Sequence, residues 1–117
     1  MTYAEKTAEL YNMINGGQLL EAFEKYYAEN VVMQEMGEAP REGKETNRAF
    51  EIGFLNSIEA VHGAGVNNIT SDESKAVVMV ENWMDLTFKG GHRVKMEQVC
   101  VQQWEGEQII NERFYHR

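Results

Sequence analysis

The sequence predicts an α+β fold in which three N-terminal helices pack on one face of a curved, mostly antiparallel β-sheet. In the first half of the chain apolar residues recur every three or four positions, and in the second half they recur every second position. Glycine-containing turns separate the alternating segments. This segregation of helices from strands is the α+β pattern. The length of 117 residues favours one domain, which we expect to span residues 1–117.

The three helices are predicted from their start and stop signals and from their apolar stripes. A helix over 3–14 begins with the capping-box spacing of Thr2–Glu5. The turn at 15–17 ends this helix, because its Asn and Gly residues accept positive φ angles. A second stripe predicts a helix over 19–28, and a third predicts a helix over 44–58.

Five strands are predicted from short or alternating apolar segments. A short strand over 31–36 lies between the second and third helices, because six residues are too few for a stable helix. The other four form an antiparallel meander, with turns at 90–91 and 105–107. These four strands are predicted at 61–70, 75–88, 93–104 and 108–116.

The composition restricts the partners of the chain. Its formal charge of −8 would repel a nucleic acid backbone. No apolar run approaches the ~18 residues of a membrane span, and the N-terminus lacks the segments of a secretory signal, so we expect a cytoplasmic protein without a membrane partner. A single cysteine, Cys100, excludes an internal disulfide and a zinc site of paired cysteines. No other metal-ligand spacing or phosphate-binding loop is present, so no metal and no cofactor are expected.

The polar residues of the last two strands indicate which face of the sheet the helices cover. Gln98, Gln102, Asn111 and Arg113 would make their own face the wetter one, so the opposite face is predicted to be the interior. A one-residue slip in register would invert this assignment. The predicted interior set is Glu81, Trp83, Asp85, Glu97, Val99, Val101, Ile110, Glu112, Phe114 and His116.

Acidic residues in that predicted interior point to a cavity that holds water or a ligand, because buried unpaired charges are costly. A carboxylate whose pKa is raised by apolar neighbours can move a proton near pH 7. The candidate catalytic residues are Glu112, Asp85, Glu97 and His116. The candidate ligand-binding residues are Trp83, Phe114, Phe54, His62 and Glu81. The alternative is that the acids pair with basic residues such as Arg93 and Lys95, or lie in water at strand ends.

Two expectations concern packing. Five aromatic side chains should converge between helices and sheet, namely Phe23, Phe50, Phe54, Trp83 and Phe114. The outer face of the sheet should then carry an apolar area large enough to form a homodimer. That area is predicted to consist of Ala76, Val78, Val80, Met84, Leu86, Cys100 and Trp104.

The whole chain resembles the SnoaL-like proteins of the nuclear-transport-factor-2-like superfamily. The resemblance is carried by residues 25–32 (KYYAENVV), 41–45 (REGKE) and 109–115 (IINERFY), and also by 84–87 and 93–97. It implies a cone-shaped, cystatin-like roll of three helices wrapped by a bent sheet. It also implies a cavity for a hydrophobic molecule, because this superfamily includes isomerases, polyketide cyclases, dehydratases, epoxide hydrolases and proteins that only bind.

The resemblance can be followed to single residues in the ketosteroid isomerases. Where those enzymes have an aspartate base this sequence has Gln34, and where they have a tyrosine in the first helix it has Leu10. Their second acid falls at Cys100 or an adjacent valine, so the isomerase set is not matched. Polyketide cyclases use an acid and a histidine on the late strands, roles for which Glu112 with His116 or Asp85 have suitable side chains.

Two functions follow from the sequence. The first is cofactor-free proton transfer on a hydrophobic metabolite, of the isomerase, cyclase or hydratase/dehydratase type. The second is non-catalytic ligand binding, or a role as a dimeric scaffold. A pocket carboxylate with a pKa well above ~4.3 would favour the first.

Overall fold

The computed structural model describes residues 1–116, which form three helices around a six-stranded sheet. The helices are α1 (Tyr3–Asn15), α2 (Leu19–Tyr26) and α3 (Lys44–Ser57). The strands are β1 (Tyr27–Glu35), β2 (Arg41–Glu42), β3 (Ile58–Asp72), β4 (Val77–Phe88), β5 (Arg93–Glu105) and β6 (Gln108–Tyr115). None of the described helices is both long enough and apolar enough to cross a membrane.

Local signals set the helix ends. The Thr2 hydroxyl accepts a hydrogen bond from the Glu5 backbone N–H at 3.0 Å, and the Glu5 carboxylate accepts one from the Thr2 N–H, which confirms the predicted capping box. Gly17, with φ of +85°, turns the chain out of α1. Gly43, with φ of +91°, redirects it into α3. The second helix ends at Tyr26, two residues before its predicted end, because β1 starts at once.

The sheet order is β2-β1-β6-β5-β4-β3. The predicted antiparallel meander is confirmed as β3 to β6. The first strand lies parallel to β6, with Met33 opposite Glu112 and Glu35 opposite Phe114. The two-residue strand β2, which was not predicted, continues the sheet beyond β1. The fold is therefore the predicted α+β roll.

The core lies between the first two helices and the inner face of the sheet. Its buried cluster consists of Leu10, Tyr11, Ala22, Phe23, Tyr26, Tyr27, Val31, Met33, Val78, Val80, Trp104 and Ile109. Phe114 packs against this cluster. The buried residues alternate along β1, as Val31 and Met33, and along β4, as Val78 and Val80, as expected of a sheet with one covered face.

The prediction for the inner face was wrong for β4 and β5 and right for Glu112 and Phe114. The buried positions of β4 and β5 include Asn82 and Gln102, and Gln102 pairs with Glu112 across the β5–β6 ladder. Both faces of β4 are rich in apolar residues, so alternation alone could not identify the covered one. The residues that consequently face outward are Glu81, Trp83, Asp85, Glu97, Val99 and Val101.

Because β4 and β5 present the opposite face to the helices, the predicted dimer surface and the predicted aromatic cluster were also wrong in part. Val78, Val80, Leu86, Cys100 and Trp104 are buried beneath the helices and cannot form an outer dimer surface. The five aromatic residues do not all converge. Phe23 and Phe114 pack in or against the core and Phe54 lies nearby, whereas Phe50 is 44% exposed and Trp83 is on the outer face.

Candidate functional site

A cavity of about 160 Å³ lies between α1, α3 and the inner face of the sheet. Its apolar lining consists of Ile14, Leu19, Met33, Phe50, Phe54, Met84, Met96 and Phe114. Its polar lining consists of Tyr11, Asn15, Tyr27, Glu35, Glu51, Asn82 and Gln98. Apolar walls with a few convergent polar groups are typical of small-molecule sites.

Glu51 reaches this cavity because α3 is anchored one turn earlier. Asn47 is fully buried, and its amide nitrogen donates to the backbone oxygens of Gly43 at 2.8 Å and Arg41 at 2.9 Å. Residues four positions apart lie on the same helix face, so Glu51 follows Asn47 inward. Within residues 1–116 no hydrogen bond or ion pair involves the Glu51 carboxyl group.

Burial raises the pKa of Glu51 to about 7. Repulsion from the carboxylates of Glu112 and Glu35 adds to the shift, and the positive charge of Arg41 opposes it. Glu51 is therefore an acid that lines an apolar cavity and titrates near neutral pH.

Glu35 is held at the edge of the cavity by two basic side chains. Its carboxylate lies 3.2 Å from Nη2 of Arg41 and 3.3 Å from Nε2 of His116. Arg41 is itself fixed, because its guanidinium carbon lies 3.6 Å from the centroid of the Phe50 ring. Glu35 thus brings a second carboxylate to the cavity, with basic partners that Glu51 lacks.

Glu112 lies behind the cavity wall and is 1% exposed. Tyr27 donates its hydroxyl proton to this carboxylate, and Gln102 Nε2 donates from 2.9 Å. The Gln102 carbonyl oxygen in turn accepts from Thr7 and Trp104. Burial raises the pKa of Glu112 to about 7, against the lowering effect of the Tyr27 and Gln102 hydrogen bonds. Glu112 therefore fixes the phenol of Tyr27, which does line the cavity.

A second hydrogen-bond chain fixes the phenol of Tyr11. Its hydroxyl donates to Cys100 Sγ at 3.2 Å and accepts from Asn82 Nδ2 at 3.3 Å. Gln98 Nε2 donates to Asn82 at 3.2 Å. Burial raises the pKa of both the Tyr11 phenol and the Cys100 thiol, so the thiol stays protonated near neutral pH.

The two residues matched to the ketosteroid isomerases, Leu10 and Gln34, do not line the cavity. The sequence comparison placed Leu10 at the tyrosine position, but Leu10 is fully buried in the core. The phenol that lines the cavity from α1 is Tyr11. Similarly, Glu35, the neighbour of Gln34, is the acid of β1 that lines the cavity.

The candidate residues named from the sequence divide into two groups. Phe54 and Phe114 line the cavity, Glu112 lies behind Tyr27, and His116 contacts Glu35. The other five lie on the outer face of the sheet. Asp85 forms an ion pair with Arg93, and Glu97 forms one with Lys95. Glu81 is hydrogen-bonded to Asn68 and His62 to Thr87, and the Trp83 ring lies across Gly63 and Gly65. Their predicted place in one cavity with Glu112 was wrong, because β4 and β5 present the opposite face to the helices.

A wider groove of about 620 Å³ lies along β5, past the end of β6. Glu81, Glu97 and His116 are among the residues that line it. Glu97 is 65% exposed there, so solvent screens its charge. The cavity beside α3 is the better candidate site, because it combines apolar walls with an acid of raised pKa.

The sequence analysis missed Tyr11, Tyr27, Glu35 and Glu51. Two signals were present in the sequence. Glu35 continues the alternation of Val31 and Met33 on β1, and Glu51 lies three residues before Phe54, a spacing that places both on one side of α3. In the described part of the chain, no group of three or more His, Cys, Asp or Glu side chains could hold a metal ion.

Comparison with known proteins gives a consistent assignment. A model of the SnoaL-like domain matches residues 1–116. No protein with a curated description matches the sequence.

Three solved structures illustrate the similarity. A Mesorhizobium loti protein, provisionally named a SnoaL-like polyketide cyclase, is 28% identical with a TM-score of 0.85, over 99% of this chain and 100% of that one. SalBIII, an epoxide hydrolase/cyclase-like enzyme of pyran ring formation in salinomycin, is 21% identical with a TM-score of 0.82, over 98% and 90%. A Bacillus subtilis protein, provisionally named an isomerase, is 16% identical with a TM-score of 0.84, over 100% and 90%. The last two show similarity of fold alone.

Proposed function

The chain belongs to the SnoaL-like domain family, and on that premise we propose that its cavity binds a small, largely apolar molecule and moves a proton on it. Glu51 is the proton-transferring group of this proposal, and no cofactor takes part. One observation carries the proposal: the Glu51 carboxyl group lines an apolar cavity, without a partner in the described chain, and has a pKa of about 7.

A carboxyl group with this pKa is present as acid and as carboxylate in comparable amounts at neutral pH. It can therefore accept a proton from one position of a bound molecule and return it to another, a contribution of about 10²- to 10⁴-fold in rate. Glu35, held by Arg41 and His116, would orient the substrate. Glu112 would act as a positioning residue, because it reaches the cavity only through Tyr27.

The size of the cavity limits the molecule to roughly one ring. Its volume of about 160 Å³ is close to that of an engineered protein cavity of about 150 Å³ that binds benzene. The cyclase and epoxide hydrolase/cyclase names of two of the similar structures support chemistry on ring-forming substrates.

Exchange of substrate protons with solvent deuterium tests the proposal without knowledge of the natural substrate. Nuclear magnetic resonance would follow exchange at carbons next to the C=O of cyclohexanone and the C=N of 1-pyrroline. We expect exchange above the buffer rate in at least one of the two compounds, with a loss of about 100-fold or more in Glu51→Gln. The matched control is Glu45→Gln, an exposed acid of the same helix, which should retain the wild-type rate.

Exchange that continues unchanged in Glu51→Gln would contradict the role of Glu51. Binding of both ring compounds in the cavity without any exchange would instead favour the second function, ligand binding without catalysis.

We also propose that two copies of the chain pair through the outer face of the sheet. Met79 and Val101 are cross-strand neighbours there, as are Val99 and Tyr115, and Met79, Val99 and Tyr115 are each more than a third exposed. Light scattering should give twice the monomer mass of 13.5 kDa. Met79→Glu should return the monomer, and Ile52→Glu, an exposed site on α3, should not. A monomeric wild-type chain would contradict the proposal.

A further inference from the structure

The charged side chains that line the cavity are all acidic. Glu35 and Glu51 contribute their carboxylates, and no Lys, Arg or His of residues 1–116 is part of the lining. Arg41 and His116 contact Glu35 but do not line the cavity themselves. The cavity therefore presents negative charge in apolar surroundings, where electrostatic interactions are stronger than in water.

The carboxylates around the cavity differ in their protein partners. Glu35 is matched by Arg41 at 3.2 Å, and Glu112 receives hydrogen bonds from Tyr27 and Gln102. Glu51 has neither an ion pair nor a hydrogen bond within residues 1–116. One carboxylate is thus left for a ligand to neutralise, and the complementary ligand carries one positive charge.

The walls of the cavity are also suited to a cation. Five of the lining residues carry aromatic rings, namely Tyr11, Tyr27, Phe50, Phe54 and Phe114. Aromatic faces attract ammonium groups within about 6 Å of the ring centre, and this attraction strengthens when the cation is desolvated.

The two phenols of the cavity are not available to an anion. Both phenols already donate, Tyr11 to Cys100 and Tyr27 to Glu112. Removal of a proton from a neutral ketone places negative charge on its oxygen, and such an oxyanion needs donors aimed at it. Neither phenol is free to supply one.

We propose that the ligand of this cavity is a small organic monocation, a ring-sized ammonium or iminium ion. This deepens the proposed function, on which it rests for the use of the cavity. When an iminium ion loses a proton, the C–H bond next to the C=N group breaks and the proton moves to the Glu51 carboxylate. The C–H electron pair forms a C=C bond, and the C=N π pair returns to nitrogen. An enamine and a neutral carboxylic acid result, so no oxyanion has to be stabilised.

Three ring compounds of similar size and different charge test this inference: cyclohexylammonium, cyclohexanol and cyclohexanecarboxylate. Their affinities would be measured by titration with the wild-type chain, with Glu51→Gln and with Glu45→Gln. Chemical shifts of the Met84 and Met96 methyl groups, which line the cavity, would show whether each compound binds there. Glu45 is exposed on the same helix, so Glu45→Gln controls for the loss of one negative charge.

We expect cyclohexylammonium to bind about tenfold or more tightly than cyclohexanol, and cyclohexanecarboxylate not to bind. Glu51→Gln should abolish the preference for the cation, and Glu45→Gln should keep it. The inference would be overturned if cyclohexanol bound as tightly as cyclohexylammonium, or if the preference for the cation persisted in Glu51→Gln. Either result would still support the proposed use of the cavity as a binding site. If no compound shifts the Met84 and Met96 signals, both the inference and the proposed use of the cavity fail.

Discussion

The hydroxyl group of Tyr27 joins the buried acid Glu112 to the cavity. It donates a hydrogen bond to that carboxylate, and this bond lowers the pKa of Glu112 against the effect of burial. Tyr27→Phe should therefore raise the pKa of Glu112 further. It should also lower the free energy of unfolding by about 1 to 3 kcal/mol, because a buried acceptor loses one of its two donors.

The pKa would be followed by the side-chain carbon signals of labelled glutamate, and stability by urea unfolding. Tyr115→Phe is the matched control, because Tyr115 is 45% exposed. An unchanged pKa of Glu112 in Tyr27→Phe would show that the hydrogen bond does not form in solution.

At the scale of elements, the packing of β4 on β3 depends on two glycines of β3, because an aromatic ring of β4 lies directly against them. The Trp83 ring lies across Gly63 and Gly65, and a Cβ atom built on Gly65 would lie 2.7 Å from Trp83 Nε1. Gly65→Ala should therefore displace the ring and cost about 1 to 3 kcal/mol of stability. The same replacement at Gly53, in the middle of α3 with open space around it, should add about 0.5 to 1 kcal/mol through helix propensity.

Urea midpoints and tryptophan fluorescence would report both changes. A stable Gly65→Ala variant with an unshifted emission spectrum would mean that the outer face of β3 and β4 packs differently.

At the scale of the whole molecule, the buried acids make stability depend on pH. The pKa values of Glu51 and Glu112 are both raised to about 7, so the folded chain holds protons that the unfolded chain has released above about pH 4.5. Their contribution is fully present below the unfolded pKa and is lost as the pH rises through about 7. The free energy of unfolding should therefore fall between about pH 4.5 and pH 7.5, by on the order of 3 kcal/mol for a single group.

Glu51→Gln should flatten this dependence and exceed the wild type in stability at about pH 8.5, because it removes a carboxylate that is costly when buried and ionised. Glu45→Gln should follow the wild-type curve. A wild-type chain that grows more stable towards alkaline pH would contradict the burial of these acids.

The sequence by itself determined the elements and the family. The sequence signals were local: the Thr2–Glu5 capping box, the change of hydrophobic period after Ile58 and the glycine turns. Such signals depend on residues that are close in sequence, so they hold whatever the tertiary structure is. They placed most helix and strand ends within a few residues and predicted the α+β roll. The sequence also named Glu112 among its candidate acids, and Glu112 is buried behind Tyr27 at the cavity wall.

Only the tertiary structure decided which residues share the site. Both faces of β4 carry apolar side chains, and the covered face contains Asn82 and Gln102, whose amides are paired with other buried groups. Hydropathy alternation cannot show that a polar residue has a buried partner, so it assigned these residues to the outside. The role proposed for Glu51 likewise depends on the absence of a hydrogen bond or ion pair to its carboxyl group within residues 1–116. That is a property of residues distant in sequence that folding brings together.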